Sequence, residues 1–348
     1  MTARERLNAE AANRILVKDG PYGTAIQNAG LSEADFSGQS GLEQDQKGNN
    51  DLVNVTRPAL IREICDGYID AGATVLATNT FNANRISQAD YGAQGMVHEI
   101  NVSAARIIRE ACDAATEKDG VARFVLGAMG PTNKTLSLSP DVEDPGFREV
   151  DFDEVKAVYR QQVEALVEGG VDLILIETVF DTLNCKAAIM AVGEVSAELG
   201  RDVPMIISLT LTDLSGRNLS GHTVEAFWHT VRHANAAAIG LNCSFGAEQL
   251  RPHVQSLAGM ADTLLLAYPN AGLPNELGEY DEAPDTTATL VGQWAKNGLV
   301  NILGGCCGTT PAHIAAIARA VEGVEPRSLP TREPAMRLAG LEPFAVDA

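Results

Sequence analysis

The sequence predicts a single-domain α/β protein of the (βα)8 TIM-barrel class. Eight short apolar runs rich in β-branched residues alternate with amphipathic stretches of helical period, and this count fits a closed barrel better than an open doubly wound sheet. Functional residue types also gather at the C-terminal ends of the runs, where this fold carries its chemistry, while the opposite ends are bland. A chain of 348 residues with 45 % hydrophobic content can bury a core of that size.

Taken in order, the strand candidates are residues 15–19, 74–80, 124–130, 173–178, 205–212, 238–243, 264–270 and 299–306. Between them lie the helical patterns. The first, 58–71, carries Leu60, Ile61, Ile64, Cys65, Tyr68 and Ile69 on one stripe, with Pro58 in a first-turn position that needs no N–H. The others are 97–115, 153–168, 182–199, 224–236, 248–260, 287–296 and 311–321. Two polar, turn-rich segments, 27–54 and 131–150, interrupt the rhythm after the first and third strands and read as lids or binding loops. Residues 1–324 form the expected catalytic domain. Residues 325–348, with four prolines, read as an extended C-terminal tail.

A formal charge of −20 excludes a phosphate-backbone partner, because nucleic-acid binding needs a basic stripe and no Lys/Arg cluster exists. No run has the length of a membrane span, and residues 1–10 are too polar for a signal peptide. Six cysteines without an export signal place the protein in the reducing cytoplasm.

The chemistry-bearing stretch is Gly304-Gly305-Cys306-Cys307-Gly308, at the end of the eighth run. Adjacent cysteines reach disulfide geometry only with strain, whereas flanking glycines let both sulfurs face one metal ion. Cys243 ends the sixth run, so a barrel brings all three sulfurs to one rim. Three protein ligands leave zinc a fourth position for substrate, and three thiolates favour holding an incoming thiol as a nucleophile over hydrolysing water. Asp19 and Glu177 end the first and fourth runs and suit a substrate ammonium. N–H groups between Gly20 and Thr24 suit a carboxylate. Together these describe a site for a thiol-bearing α-amino acid. Cys65, Cys112 and Cys185 fall on helical stripes and read as core. His229 and His233 have an i, i+4 spacing but lie on a helix away from any strand end, so they read as a packed or solvated face.

These motifs resemble the homocysteine-binding module of cobalamin-dependent methionine synthase, within the homocysteine S-methyltransferase family. The resemblance runs from about residue 13 to the end through Asp19-Gly20-Pro21-Tyr22-Gly23-Thr24, Gly130-Pro131-Thr132-Asn133, Ser139-Pro140-Asp141-Val142, Glu177-Thr178-Val179-Phe180-Asp181-Thr182, Tyr268-Pro269-Asn270-Ala271-Gly272 and the cysteine stretches. It implies Zn2+ on Cys243, Cys306 and Cys307, homocysteine held at its amino group by Asp19 and Glu177, and Asn270 in zinc's fourth position until substrate arrives. It also implies methylcobalamin as methyl donor and methionine as product. The tail resembles the family's interdomain linker.

Two departures stand out. The family's Asp-Gly-Ala-Met-Gly-Thr reads here with Pro21 and Tyr22 in the middle, and Pro21 has no N–H for a substrate carboxylate. No Asp-x-His-x-x-Gly cobalamin motif occurs, so methylcobalamin is expected on a separate corrinoid-binding protein, as in a split methionine synthase. The alternatives are a small methyl donor, S-methylmethionine or a betaine, and a non-catalytic zinc-binding fragment of a larger protein.

Overall fold

In the computed structural model, which describes residues 1–346, eight parallel strands form one barrel wall. They are β1 (Leu16–Val17), β2 (Val75–Ala77), β3 (Phe124–Met129), β4 (Leu173–Val179), β5 (Met205–Leu209), β6 (Ala238–Gly246), β7 (Leu264–Asn270) and β8 (Ile302–Leu303). Neighbours pair in register from β2 round to β8, and β8 pairs with β1 through Leu16↔Ile302 and Val17↔Leu303. The last seam, β1 to β2, closes through the Lys18↔Val75 bridge. Two backbone bonds hold it, Thr74 N–H to Val17 O at 2.7 Å and Asp19 N–H to Val75 O at 3.0 Å.

The strands alternate faces with a period of two, and the two buried clusters follow that alternation. Leu16, Val75, Phe124, Leu126, Leu173, Leu175, Ile206, Leu264, Leu266 and Ile302 fill the barrel interior. The intervening Val17, Leu76, Val125, Ile174, Ile207, Ile239, Leu265 and Leu303 pack outward against the helices. Leu7 and Ala11, from the N-terminal helix Ala3–Asn13, join the interior cluster and plug the N-terminal mouth. That helix begins with a capping box, Thr2 Oγ1 accepting from Glu5 N and Glu5 returning a bond to Thr2 N.

Three expected elements, 182–199, 264–270 and 311–321, have the observed bounds, and the rest differ at their ends for local reasons. β5 stops at Leu209, short of 212, because the chain turns there into a loop in which Thr212 N–H bonds Arg217 O. β8 is shorter than expected, although Gly304 N–H to Ala267 O at 3.1 Å and Cys306 N–H to Pro269 O at 2.7 Å continue the ladder past it. Helix Val97–Asp119 outruns its expected end by a turn and closes on Gly120 in the left-handed conformation. The helical pattern 224–236 divides into an α-helix, Val224–Val231, and a 3-10 turn, Arg232–Ala234.

Most of the 325–348 segment runs along the barrel, and its last two residues lie outside the described residues. The Arg327 guanidinium is buried and donates to the carbonyls of Ala258, Ala261 and Thr263. Beyond it, β9 (Met336–Ala339) and β10 (Pro343–Val346) form an antiparallel hairpin, anchored by Thr223 N–H to Leu341 O at 3.1 Å. Among the described residues, no helix is long and apolar enough to cross a membrane.

Because Leu7 is fully buried against the interior strands, Leu7→Ala leaves a cavity at the closed end of the barrel. We expect a loss of about 3 kcal/mol in urea unfolding, with metal content unchanged because the site lies at the opposite end.

Candidate metal and thiol site

The C-terminal mouth holds a polar layer on top of an apolar interior. Extending the inward alternation one step beyond Leu16, Leu175, Ile206, Gly240 and Leu266 arrives at Lys18, Glu177, Ser208, Asn242 and Tyr268. These side chains bond to one another across the barrel. Tyr268 Oη donates to Glu177 Oε2 at 2.9 Å, Ser208 Oγ donates to Asn242 Oδ1 at 2.6 Å, and Lys18 Nζ sits 4.7 Å from the centre of the Tyr268 ring.

Asn242 is the fastener of this layer. Its Oδ1 also accepts from Thr178 N at 3.2 Å and its Nδ2 donates to Thr178 Oγ1 at 2.9 Å. Both strands it joins leave regular register here, β4 between Ile176 and Val179 and β6 between Asn242 and Gly246. Thr178, Cys243 and Ser244 adopt positive φ, at 57°, 61° and 61°. Non-glycine residues hold that conformation at a cost of order 1–3 kcal/mol each, so the cross-strand bonds are what keep it. The bends turn Glu177 and Cys243 toward the mouth.

The third strand end supplies the cysteine pair. Gly308 has φ +79° and a Cβ there would meet Tyr280 at 2.2 Å, so only glycine lets the chain reverse directly after Cys307. Cys307 O accepts from Ala271 N at 2.9 Å, which ties the turn to the end of β7. The result is that the sulfurs of Cys243, Cys306 and Cys307 lie within 4.8 Å of one another, with Cys243 and Cys307 4.0 Å apart. Tetrahedral zinc with bonds of about 2.3 Å needs sulfurs about 3.8 Å apart, so a small contraction would complete a three-thiolate site. Among the described residues this is the one group of three or more potential metal-ligating side chains.

Mutual contact drives the three thiols apart in acidity. S–H donation from Cys243 and Cys306, with help from Tyr280, draws Cys307 down to about 3 against the effect of burial. Contacts with Cys243 and Cys307, together with burial, push Cys306 far up. Cys243 is favoured downward by Cys306 but pushed up to about 11 by Cys307 and burial.

The sulfurs open into a cavity of about 250 Å3, lined by Lys18, Gly20, Thr24, Asp51, Glu177 and Tyr268 among others. Glu177, expected at this rim, lines the cavity. Asp19 has no exposed surface, and both its oxygens are engaged, Oδ1 with Lys18 Nζ at 2.8 Å and Oδ2 with Ala77 N at 2.9 Å. The lysine head therefore carries the charge of this corner into the cavity. Burial lowers the Lys18 pKa but Asp19 and Glu177 outweigh it, and the net shift is upward. Burial raises Asp19 and Glu177, restrained in both by Lys18. Asn270 is buried, and its Oδ1 has no hydrogen-bond partner, so an acceptor lies free at the end of β7 beside the cysteine turn.

Other expected positions settle differently. The His229 side chain is only 6% exposed, whereas His233 is exposed and its Nδ1 lies 3.0 Å from Thr230 O, so the two do not share a site. Cys65, Cys112 and Cys185 are buried core, and burial pushes all three thiols up. Sequence reasoning assigned no role to Lys18, Asn242, Tyr268 or Tyr280. The period-two alternation carried a signal for the first three, but nothing local marked Tyr280.

Fold and site together define a (βα)8 enzyme with a three-thiol centre able to hold one metal ion beside a small charged cavity. The chain matches the family model for homocysteine S-methyltransferase over residues 16–321, and it belongs to that family; it is a methyltransferase. Among solved structures it is similar to the metallated form of the homocysteine methyltransferase MmuM from Escherichia coli, at 25% identity and TM-score 0.70 over 91% of this chain and 99% of that one. The oxidized form of the same enzyme matches at 25% identity and TM-score 0.68, covering 88% and 95%.

Two outcomes test this description. Asn242→Ala strands Thr178 N–H and Ser208 Oγ, so we expect a stability loss of about 2 kcal/mol and zinc affinity weakened at least ~10-fold by chelator competition. Asp51 is buried and accepts from Asn82 N at 2.9 Å, yet burial pushes it up to about 7. A raised acid stabilises the fold while protonated, and that stability is lost as pH rises from the ordinary carboxyl value of 3.8 through about 7. Urea midpoints of Asp51→Asn should therefore lose less than wild type between about pH 5 and 8.

Proposed function

We propose that this chain is a zinc-dependent homocysteine S-methyltransferase that forms methionine, taking the methyl group from methylcobalamin on a separate corrinoid protein. The observation that carries the reading is the convergence of three sulfurs within 4.8 Å at the mouth of a cavity that also presents Glu177. Cys243, Cys306 and Cys307 would hold the ion, with Asn270 Oδ1 as the exchangeable fourth donor. Zinc bound by three thiolates supplies a centre at which the acceptor thiol gives up its proton at neutral pH while its sulfur stays electron-rich.

The chain's own residues orient the acceptor. Glu177, with Oε2 fixed by Tyr268, receives the ammonium, and Asp19 acts through the Lys18 it holds. Gly20 and Thr24 line the side nearest the carboxylate. A lone pair on the acceptor sulfur then forms the bond to the methyl carbon as the donor's bond to that carbon breaks and its electron pair leaves with the donor. Burial of Tyr268 keeps water from the lower side of the sulfur.

The cavity's size supports a donor that comes from outside. At about 250 Å3 it is smaller than the usual range for drug-sized ligands and suits one amino acid, not an amino acid plus a corrinoid. Large apolar side chains stand exposed in the loops that follow β2, β3 and β7: Phe81, Leu138, Val142, Phe147, Leu273 and Leu277. Such a rim suits a docking macromolecule.

Replacing Cys306 by Ser should reduce zinc from about one per chain to a small fraction of that, with methionine formation down at least ~100-fold. Retained zinc with unchanged activity would sink the site. Offering methylcobalamin, S-methylmethionine and betaine in parallel tests the donor: turnover with a small donor alone overturns the corrinoid assignment and leaves the thiol site standing.

A further inference from the structure

Lys18 is the least expected member of the cavity wall. Its side chain is 5% exposed and its strand position points into the barrel, yet it lies at the mouth with Glu177, Gly20 and the three cysteines. An ammonium buried among apolar strands is costly unless compensated, and here Asp19 at 2.8 Å and the Tyr268 ring at 4.7 Å compensate it. An ammonium has three donors, and its contact with Asp19 uses one. The remaining N–H bonds are available to a cavity ligand.

The neighbouring loop makes such a donor useful. Pro21 has no N–H, so the turn after β1 offers one backbone donor fewer to an anion in the cavity. Charges across the cavity run Asp19 negative, Lys18 positive, then Glu177 negative. A zwitterion laid between Lys18 and Glu177, carboxylate toward the first and ammonium toward the second, continues the alternation. Resting on the thiol-acceptor reading above, we propose that Lys18 is a specificity-determining residue that binds the carboxylate of the acceptor and makes the site select α-amino acid thiols over thiols that carry only an ammonium.

The test is calorimetric binding to the zinc-reconstituted protein of three thiols of equal reach: L-homocysteine, 4-mercaptobutanoate, which lacks the ammonium, and 3-aminopropane-1-thiol, which lacks the carboxylate. Wild type should bind homocysteine at least ~10-fold more tightly than 3-aminopropane-1-thiol, as a charge-assisted bond would give. In Lys18→Met that preference should fall to within about 3-fold, while the preference over 4-mercaptobutanoate stays and Lys18→Arg keeps most of both. Should Lys18→Met not fold by circular dichroism, Lys18→Met combined with Asp19→Asn removes both charges of the pair and is read in its place. An unchanged or increased preference for homocysteine in these variants overturns the proposal, because the lysine head would then only neutralise Asp19 or fill the ammonium's place. If wild type binds none of the three thiols, the thiol-acceptor reading falls and this proposal with it; if thiols bind but the ratio does not move, this proposal alone falls.

Discussion

The period of two along eight parallel strands is the constraint on which the mouth of this protein depends. Closing the sheet on itself forces every second side chain inward, and the lower positions meet that demand with Leu16, Phe124, Leu175 and Leu266. One step higher the same geometry delivers Lys18, Glu177, Ser208, Asn242 and Tyr268. A polar layer there is tolerable because each member finds a partner across the barrel and the cavity opens directly above. The interior is therefore a graded medium, apolar at the plugged end and ionic at the open one.

Within that frame three of the four non-glycine residues with positive φ among the described residues, Thr178, Cys243 and Ser244, lie where the chemistry does. Three non-glycine residues in the left-handed conformation would each favour relaxing to a regular strand, which would carry Glu177 and Cys243 to other faces. The Asn242 amide opposes this with bonds to Thr178 and Ser208, so one side chain from β6 fixes the ends of β4 and β5 as well. The cysteine turn uses a different device. There the glycine backbone makes the conformation cheap, and close packing of Tyr280 and the bond from Ala271 to Cys307 hold it.

Electrostatics joins the two devices. Three sulfurs, two carboxylates and one ammonium share a small volume, and burial alone would keep most of them neutral. Lys18 restrains the upward shifts of Asp19 and Glu177, and the sulfurs settle charge on Cys307 by mutual S–H donation. The arrangement suits a cation at the sulfurs and a zwitterion in the cavity, which matches the chemistry of a family that acts on an amino acid thiol.

The sequence by itself determined the barrel and the thiol centre. Eight β-then-α units admit few closures, and Cys243 and Cys306-Cys307 end strands whose order in any such barrel puts them on one rim. Adjacent cysteines between glycines announce themselves without knowledge of neighbours. The tertiary structure alone decided which charge lines the cavity. Asp19 ends a strand as expected, but its position at the β1/β2 seam turns both oxygens to Lys18 and Ala77, and the lysine beside it takes the cavity wall. Asn242 and Tyr280 matter only through residues distant in the chain, since their roles depend on distances between strand ends and a loop path. Local pattern fixes which face a residue occupies; only packing fixes what it touches.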